Sequence, residues 1–475
     1  MYGDTIAAIA TASGEGGIGV VRLSGPEAAA VAGRVFRRAG RGVADVARFP
    51  SHRLIYGAII DPDSGATLDE ALAVRMAPPR TYTREEVVEL QCHGGPVATR
   101  EVLRACLRAG SRAAEPGEFT LRAFVNGRLD LAQAEAILGI VGARTPEALQ
   151  VAVAGLRGRL GGELRPARDR LVDALAYLDA SADFPEDELP PADVAADLAD
   201  AADRLDALDR RAAVGVLYRE GVRVAIVGRP NVGKSSLLNA LLRQERAIVT
   251  PVAGTTRDVI AETLTLRGIP VTLLDTAGIA PTLDQIEQLG IARSHEALTS
   301  AALVLFVLDG GVPPTPDDLA IAAALRDRLG LVEDEDAGRS VILVLNKADT
   351  FPSDGPASQD AVTALLPAAR RASVSARTGA GLDDLEATLH ALTTGATAAL
   401  TADADPALAT TRQRETIARA RDHARRAAAA LAAGIPLDLV AIDARAALLA
   451  IGEITGEAVS EAILDAIFSR FCIGK

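Results

Sequence analysis

The sequence has no tryptophan, only two methionines and an aromatic content of 3%. Any core must therefore be built from Ala, Leu, Val and Ile, a composition that favours helices. Three cysteines, Cys92, Cys106 and Cys472, form neither a metal-ligand spacing nor an even disulfide framework. That excludes a disulfide-stapled scaffold and points to a reduced, cytosolic setting. The N-terminus lacks a basic stretch followed by a long apolar core, and no apolar run approaches about 18 residues free of charge, Gly and Pro. Neither a secretory signal nor a membrane span is expected. Excess positive charge is missing too: 63 acidic against 50 basic residues leave a net charge of −13. Contact with nucleic acid would need a local basic surface.

What is present is 49% hydrophobic residues over 475 positions, enough for two to four domains at about 100–200 residues each. Residues 1 to about 120 alternate strand-like and helix-like pieces. Thr5–Thr11, Gly19–Leu23 and Glu86–Cys92 predict strands, while Glu27–Arg38 and Pro96–Arg108 predict helices, the latter closed by Gly110. The turn cluster Asp61–Gly65, between His52–Ile60 and Leu68–Met76, predicts a hairpin. Spacing alone shows no chemistry in this α+β region. After Pro116-Gly117 the chain is helix-forming to about Asp183, and Phe184–Pro191 interrupts it. A second helix carries Val194, Leu198, Leu205 and Leu208 on one face. Apolar runs at 222–227, 271–274, 303–308 and 341–345, alternating with helical stretches, predict a mostly parallel sheet covered on both faces. Thr393–Pro406 reads as a connection, and the rest is helical again. Helices on both sides of an α/β unit imply that the unit is inserted into one helical domain. The expected division is 1–120, then 121–217 with 385–475, and 218–384.

The run Gly228-Arg229-Pro230-Asn231-Val232-Gly233-Lys234-Ser235-Ser236 sits between the first of those strands and a helix-forming segment. Strand, G-x-x-x-x-G-K-S, helix is the context of a phosphate-binding loop. Its backbone N–H groups and helix N-terminus face an anion, Lys234 adds a point charge, and Ser235 can ligate Mg²⁺. Behind it come Gly254-Thr255-Thr256-Arg257-Asp258, Leu274-Asp275-Thr276-Ala277-Gly278, Asn346-Lys347-Ala348-Asp349 and Ser375-Ala376-Arg377, in the order of a guanine-nucleotide-binding domain. Thr256 can offer a hydroxyl to Mg²⁺, Asp275 can hold the same ion through water, and the Gly278 N–H can meet a γ-phosphate. Asp349 supplies base choice, because a carboxylate accepts two donors that guanine presents together and adenine does not. Ala376 would bring a backbone N–H to the guanine carbonyl. Many GTPases of this class carry a glutamine where this chain has Ile279, so its attacking water must be oriented by another group.

Together with these motifs, Gly16–Gly25, Val88–Gly95, Arg122–Ala136, Asp183-Phe184-Pro185 and the ending Phe471-Cys472-Ile473-Gly474-Lys475 resemble the MnmE (TrmE) family of tRNA-modification GTPases along the whole chain. The resemblance implies a multidomain α+β and α/β protein. Its parts would be an N-terminal folate-binding-like, dimerising α+β domain, a discontinuous helical domain and an inserted Ras-like P-loop GTPase domain. It implies GTP, Mg²⁺, K⁺ and a formyl-tetrahydrofolate-type folate as cofactors. A homodimer, the FAD-dependent flavoprotein MnmG (GidA) in a heterotetramer or larger assembly, and tRNA are the implied partners, in the cytoplasm and without a membrane. The implied activity is K⁺-activated GTP hydrolysis that helps add an aminomethyl or carboxymethylaminomethyl group at carbon 5 of wobble uridine. Folate ligands fall on Arg22, Glu89, Arg128 and Lys475. The K⁺ ligands fall on the Asn231 side chain and the main-chain oxygens of Thr250, Val252 and Thr255, and the GTP-binding set includes Thr250. The water-positioning glutamate falls on Glu287.

Several of these residues have a plainer reading. Glu287 by sequence alone is a solvated helix residue. Cys472 reads either as a core cysteine or as a catalytic residue facing the folate and tRNA site. Arg412, Arg419 and Arg426, seven apart, either track phosphates or form a solvated face. Cys92 and Cys106 read as structural and His93 as a turn or packing residue. The alternative function is a ribosome-assembly GTPase switch, against which the N-terminal region and the chain ending argue.

Overall fold

The computed structural model describes residues 3–40, 42–43, 45–183, 192–244, 261–275, 301–329, 340–351, 359–394 and 410–474. The chain gathers into two compact units, one of residues 1–141, 155–198 and 423–475, the other of 142–154 and 199–422.

The first unit is built on an eight-stranded sheet in the order β4-β3-β5-β6-β7-β2-β1-β8. Its strands are β1 (Ile6–Ile9), β2 (Gly16–Ser24), β3 (Phe36–Arg38), β4 (Gly42–Val43), β5 (Arg53–Ile60), β6 (Thr67–Met76), β7 (Val87–Gly94) and β8 (Arg112–Ala113). The predicted hairpin forms, with β5 and β6 antiparallel and Ile55 opposite Ala73. Helices α1 (Ala28–Val35) and α2 (Pro96–Arg108) contribute to the core formed on this sheet. One expectation fails at the end of α1. Glu27–Arg38 reads as one helix, but Phe36–Arg38 leaves it to pair with β5, Phe36 opposite Ile59. There the Phe36 ring is fully buried and meets Phe49 edge-on at 6.1 Å. Burying such a side chain is worth about 1.5–3 kcal/mol, against tenths for helix propensity.

The helix-forming stretch after Gly117 resolves into α3 (Glu118–Val125), α4 (Leu131–Gly142), α5 (Pro146–Leu156) and α6 (Arg159–Asp183). Arg122 of α3 is completely buried. Its guanidinium donates to Asp4 Oδ1 at 2.7 Å and Glu118 Oε1 at 2.8 Å, with Glu85 3.3 Å away. Arg112 adds a second guanidinium to Glu118 at 2.6 Å. This network ties the start of the chain to α3 and to the loop before β7. On α6, Leu160, Leu164, Leu171, Leu175 and Leu178 form a buried stripe.

The rest of the chain adds α7 (Val194–Glu220), followed by the α/β region. All four apolar residues expected on one face of α7 are buried. Past the α/β region come α12 (Thr411–Ala432), α13 (Leu437–Thr455) and α14 (Glu461–Phe468). In the first unit α13 packs on α6, and Arg445 caps the contact with an ion pair to Asp179 at 2.9 Å. Phe468 at the end of α14 and Phe471 beyond it stack at 5.5 Å and join a core with Leu131 and Ala134. Ile473 then bridges Pro116, and Gly474 lies so close to the Ile9 carbonyl oxygen that a Cβ would overlap it. Gly474 also has φ +97°, so only glycine suits the position.

The α/β region of the second unit is a six-stranded sheet in the order β10-β11-β9-β12-β13-β14. Its elements are β9 (Val222–Val227), α8 (Lys234–Gln244), β10 (Ala261–Leu266), β11 (Ile269–Asp275), β12 (Leu303–Asp309), α9 (Pro316–Leu329), β13 (Ser340–Asn346), α10 (Gln359–Leu365), β14 (Arg370–Ser373) and α11 (Leu382–Thr394). All pairings are parallel except β10 with β11. Two buried clusters, one through Val224 and Leu305 and the other through Ala225 and Phe306, cover the two faces, as the near-continuous apolar strands require. The edge strands β10 and β14 escape the hydrophobic reading because β14 is short and charged and β10 alternates. Among the described residues no helix is long and apolar enough to cross a membrane.

Candidate functional site

The phosphate loop begins where central strand β9 ends. Gly228 passes so close to the Val307 carbonyl oxygen of β12 that a Cβ would overlap it. Asn231 follows with φ +64°, a left-handed conformation that asparagine tolerates better than most residues. Gly233, at φ +93°, leaves room for the Asn346 side-chain amide. The Lys234 ammonium curls back over the loop and donates to the Gly228 carbonyl at 2.7 Å and the Arg229 carbonyl at 3.0 Å. Ser235 and Ser236 are exposed in the first turn of α8, where unpaired N–H groups and the helix dipole favour an anion.

The loops after β9 and β14 converge on one amide. Asn346 closes β13 and is buried. Its Nδ2 donates to the Val232 carbonyl at 2.9 Å, and its Oδ1 accepts the Ala376 N–H at 3.1 Å. One side chain thus locks the phosphate loop to the loop after β14. Lys347 turns the chain with φ +66° and pairs through Nζ with Asp309 at 2.7 Å. Burial pushes the Asp309 carboxyl up, but Lys347 and the Gly311 N–H outweigh it and hold it below its ordinary range. Asp349 accepts the Ser375 hydroxyl at 2.5 Å and the Arg377 Nε at 2.8 Å. The Ser375 hydrogen bond has the largest effect and lowers its pKa; burial opposes it less strongly, and Arg377 adds to the lowering. The sequence-predicted residues Asn231 to Ser236, Asn346, Lys347, Asp349, Ser375, Ala376 and Arg377 are therefore drawn to one end of the sheet. Asp309 belongs to none of the motifs, and its sequence signal is only its place at the C-terminal end of β12.

A second cluster forms in the first unit. The antiparallel register of β2 and β7 sets Arg22 opposite Glu89, and their side chains meet at 2.8 Å. The Arg22 guanidinium lies over the rings of Tyr82 and Phe119, at 5.6 and 5.8 Å from their centroids. Arg128 reaches the Tyr82 ring at 4.8 Å and donates to the Tyr82 carbonyl at 3.0 Å. Two predicted folate ligands, Arg22 and Arg128, are thus joined by an aromatic residue that no spacing pointed to, and the third, Glu89, is held by Arg22. Burial pushes the Tyr82 phenol up, opposed by its Thr120 partner and the two guanidinium groups.

Thr250, Val252, Gly254, Thr255, Thr256, Thr276, Ala277, Gly278, Ile279, Glu287 and Lys475 lie outside the described residues; Asp275 ends β11. Cys472 is exposed, which overturns its reading as a core cysteine. Cys92 and Cys106 are buried, and burial pushes their thiols up to about 11 and about 12. Of the three spaced arginines, Arg426 is engaged by Asp443 at 3.1 Å and Arg419 by Thr416 at 3.3 Å. His93 pairs with Asp69 at 2.6 Å across β6 and β7.

Residues 5–128 match the family model described as "GTP-binding protein TrmE N-terminus", and residues 131–472 match "MnmE helical domain". The chain is similar to the tRNA modification GTPase MnmE of Roseiflexus sp. (strain RS-1), at 49% identity over 100% of both chains. It is equally similar to the protein of that name from Symbiobacterium thermophilum, at 49% identity over 100% of both chains. The corresponding Roseiflexus castenholzii protein is 48% identical over the same full extent.

Proposed function

The chain belongs to the MnmE family of tRNA modification GTPases, and from that premise we propose how its two clusters serve one reaction. It is a tRNA modification GTPase with a P-loop domain that binds GTP. In the proposed cycle, GTP hydrolysis is K⁺-activated. With the FAD-dependent partner MnmG, it supports addition of an aminomethyl or carboxymethylaminomethyl group to carbon 5 of the wobble uridine of tRNA. A folate supplies the one-carbon unit, and the chain acts as a cytoplasmic homodimer. The three-part division at 1–120, 121–217 with 385–475, and 218–384 belongs to the same reading.

The observation that carries it is the joint presence, in one chain, of nucleotide-motif loops joined by Asn346 and a paired-arginine cluster on a separate sheet. The donor chemistry fits the ions. The Ser235 and Thr256 hydroxyls and the Asp275 carboxylate, through water, are hard oxygen donors suited to Mg²⁺. The Asn231 amide and the backbone oxygens of Thr250, Val252 and Thr255 make a neutral oxygen set suited to K⁺. When bound, K⁺ would supply positive charge to offset the negative charge developing on the phosphates. Lys234 adds its own charge there, Asp349 selects guanine, and Glu287 orients the attacking water. Arg22, Glu89, Arg128 and Lys475 hold the folate, with Cys472 exposed as a candidate catalytic thiol.

Nucleoside analysis of tRNA from cells lacking this protein tests the function. Loss of the wobble-uridine modification is expected, and an unchanged wobble uridine would overturn it. For the ion, Asn231→Ala is expected to bring the ratio of GTP turnover in KCl to that in NaCl down to about unity. Full K⁺ stimulation in that variant would remove Asn231 from the K⁺ site.

A further inference from the structure

Tyr82 sits where separated pieces of the first unit meet. Its ring lies under two guanidinium groups, Arg22 at 5.6 Å and Arg128 at 4.8 Å from the centroid. Its hydroxyl shares a 2.8 Å hydrogen bond with Thr120 Oγ1, and its backbone carbonyl accepts Arg128 Nη1 at 3.0 Å. The same loop is stapled twice more: Asn126 Nδ2 donates to the Thr83 carbonyl at 2.7 Å, and Arg84 Nη1 donates to the Asn126 carbonyl at 3.0 Å. The two arginines are held unequally. Arg22 has Glu89 and the Phe119 ring as further partners. Arg128 is exposed, and among the described residues its hydrogen-bond and ring contacts are both to Tyr82.

Two guanidinium groups gathered at one ring repel each other, and each gives up rotamer freedom to stay there. The face of an aromatic ring attracts both through its quadrupole, and the Thr120 bond keeps that ring from turning away. We propose that Tyr82 is a positioning residue of the folate site, presetting Arg22 and Arg128 as a pair of donors for a carboxylate-bearing folate. The side chain acts through the two arginines. This rests on the folate reading above, and it adds the element that orients its ligands.

Substitution separates ring from hydroxyl. Tyr82→Phe keeps the aromatic face and the backbone carbonyl and removes the Thr120 bond. Tyr82→Leu keeps the carbonyl and removes the face. The full-length protein is titrated calorimetrically with 5-formyl-tetrahydrofolate, and the Arg22 and Arg128 Nε–H signals are followed by NMR without ligand. Tyr82→Phe is expected to bind within about threefold of the unsubstituted protein, and Tyr82→Leu roughly tenfold more weakly. Ring-current shifts of both arginine signals are expected in the first variant and lost in the second. Folate binding by Tyr82→Leu as tight as that of the unsubstituted protein overturns the proposal, as do arginine signals that the leucine leaves in place. If the unsubstituted protein does not bind the folate, the folate reading falls, while the arginine signals still decide whether Tyr82 holds the pair. Should Tyr82→Leu not fold, Tyr82→Met provides the same test with a flexible apolar side chain.

Discussion

The Asn346 corner of the second unit and the arginine cluster of the first lean mainly on different contacts. In the former, one buried amide, Asn346, is bonded to the backbone of two other loops, and left-handed turns at Asn231 and Lys347 set the loop path. In the latter, side chains meet side chains: Arg22 with Glu89, both arginines with Tyr82, and the buried Arg122 network nearby. Asn346 reaches residues 114 and 30 positions away, yet its partners lie in short contiguous motifs, whereas spacing alone marks none of Arg22, Tyr82, Glu89 and Arg128. Both corners depend on a sheet in register; they differ in how plainly short strings of residues announce them.

The sharpest way to break this contrast is to remove the charge on which the first unit depends. Arg122→Ala leaves Asp4, Glu85 and Glu118 around an empty site and is expected to cost about 3–5 kcal/mol of stability, measured by urea unfolding. A loss below about 1 kcal/mol would mean that the buried network is relaxed by water and that the contrast is overstated. Asp349→Asn strikes the other corner. Losing two charge-assisted acceptor contacts is expected to weaken guanine-nucleotide binding by about 10²–10³-fold, with xanthine nucleotides, which present a carbonyl in place of the amine, favoured instead. Calorimetry with both nucleotides checks this, and unchanged guanine preference would remove Asp349 from base selection.

How much of the two corners can be read from sequence follows the same line. The nucleotide loops are short strings whose residue types are dictated by tight turns and close approaches, as at Gly228 and Gly233, so they are legible before any fold is known. Strand–helix alternation likewise exposes the central strands, and the hairpin shows through Asp61–Gly65. Tyr82 and Arg122 were not legible as contacts. Nothing local sets a tyrosine beneath arginines 60 and 46 residues away; only the β2–β7 register and the α3 docking do. Phe36–Arg38 misleads for a related reason, since the pairing with Ile59 that captures it lies in a distant strand.

A pH titration sharpens the comparison more gently. Burial pushes the Glu118 carboxyl up, but hydrogen bonds from Arg112, the Glu115 N–H and Arg122 together hold it below its ordinary 4.5. A folded-state pKa below the unfolded one gives stability that is full above about 4.5 and is lost as pH falls through the folded value. Glu118→Gln is therefore expected to flatten the acid limb of thermal stability, and an acid limb identical to that of the unsubstituted protein would refute the assignment. The smallest effect is on thiols. Cys472 is exposed, while Cys92 and Cys106 are buried with raised pKa values. Labelling of the native protein is expected to show one fast cysteine, with the other two reacting only on unfolding. Fast reaction of Cys106 would mean that the sheet of the first unit opens readily.

The contact of Gly474 with the Ile9 carbonyl has a consequence for biosynthesis. Strand β1 and its partners β2 and β8 leave the ribosome hundreds of residues before Ile473 and Gly474 are made, and the whole P-loop region is translated in between. The sheet can pair β1 with β2 and β8 first, and the far end of the chain then returns to cover the Ile9 end of β1. A nascent chain stalled late in the helices would carry every nucleotide motif and still lack Ile473 and Gly474 beside β1, so protease sensitivity of β1 would report on whether synthesis had passed that point.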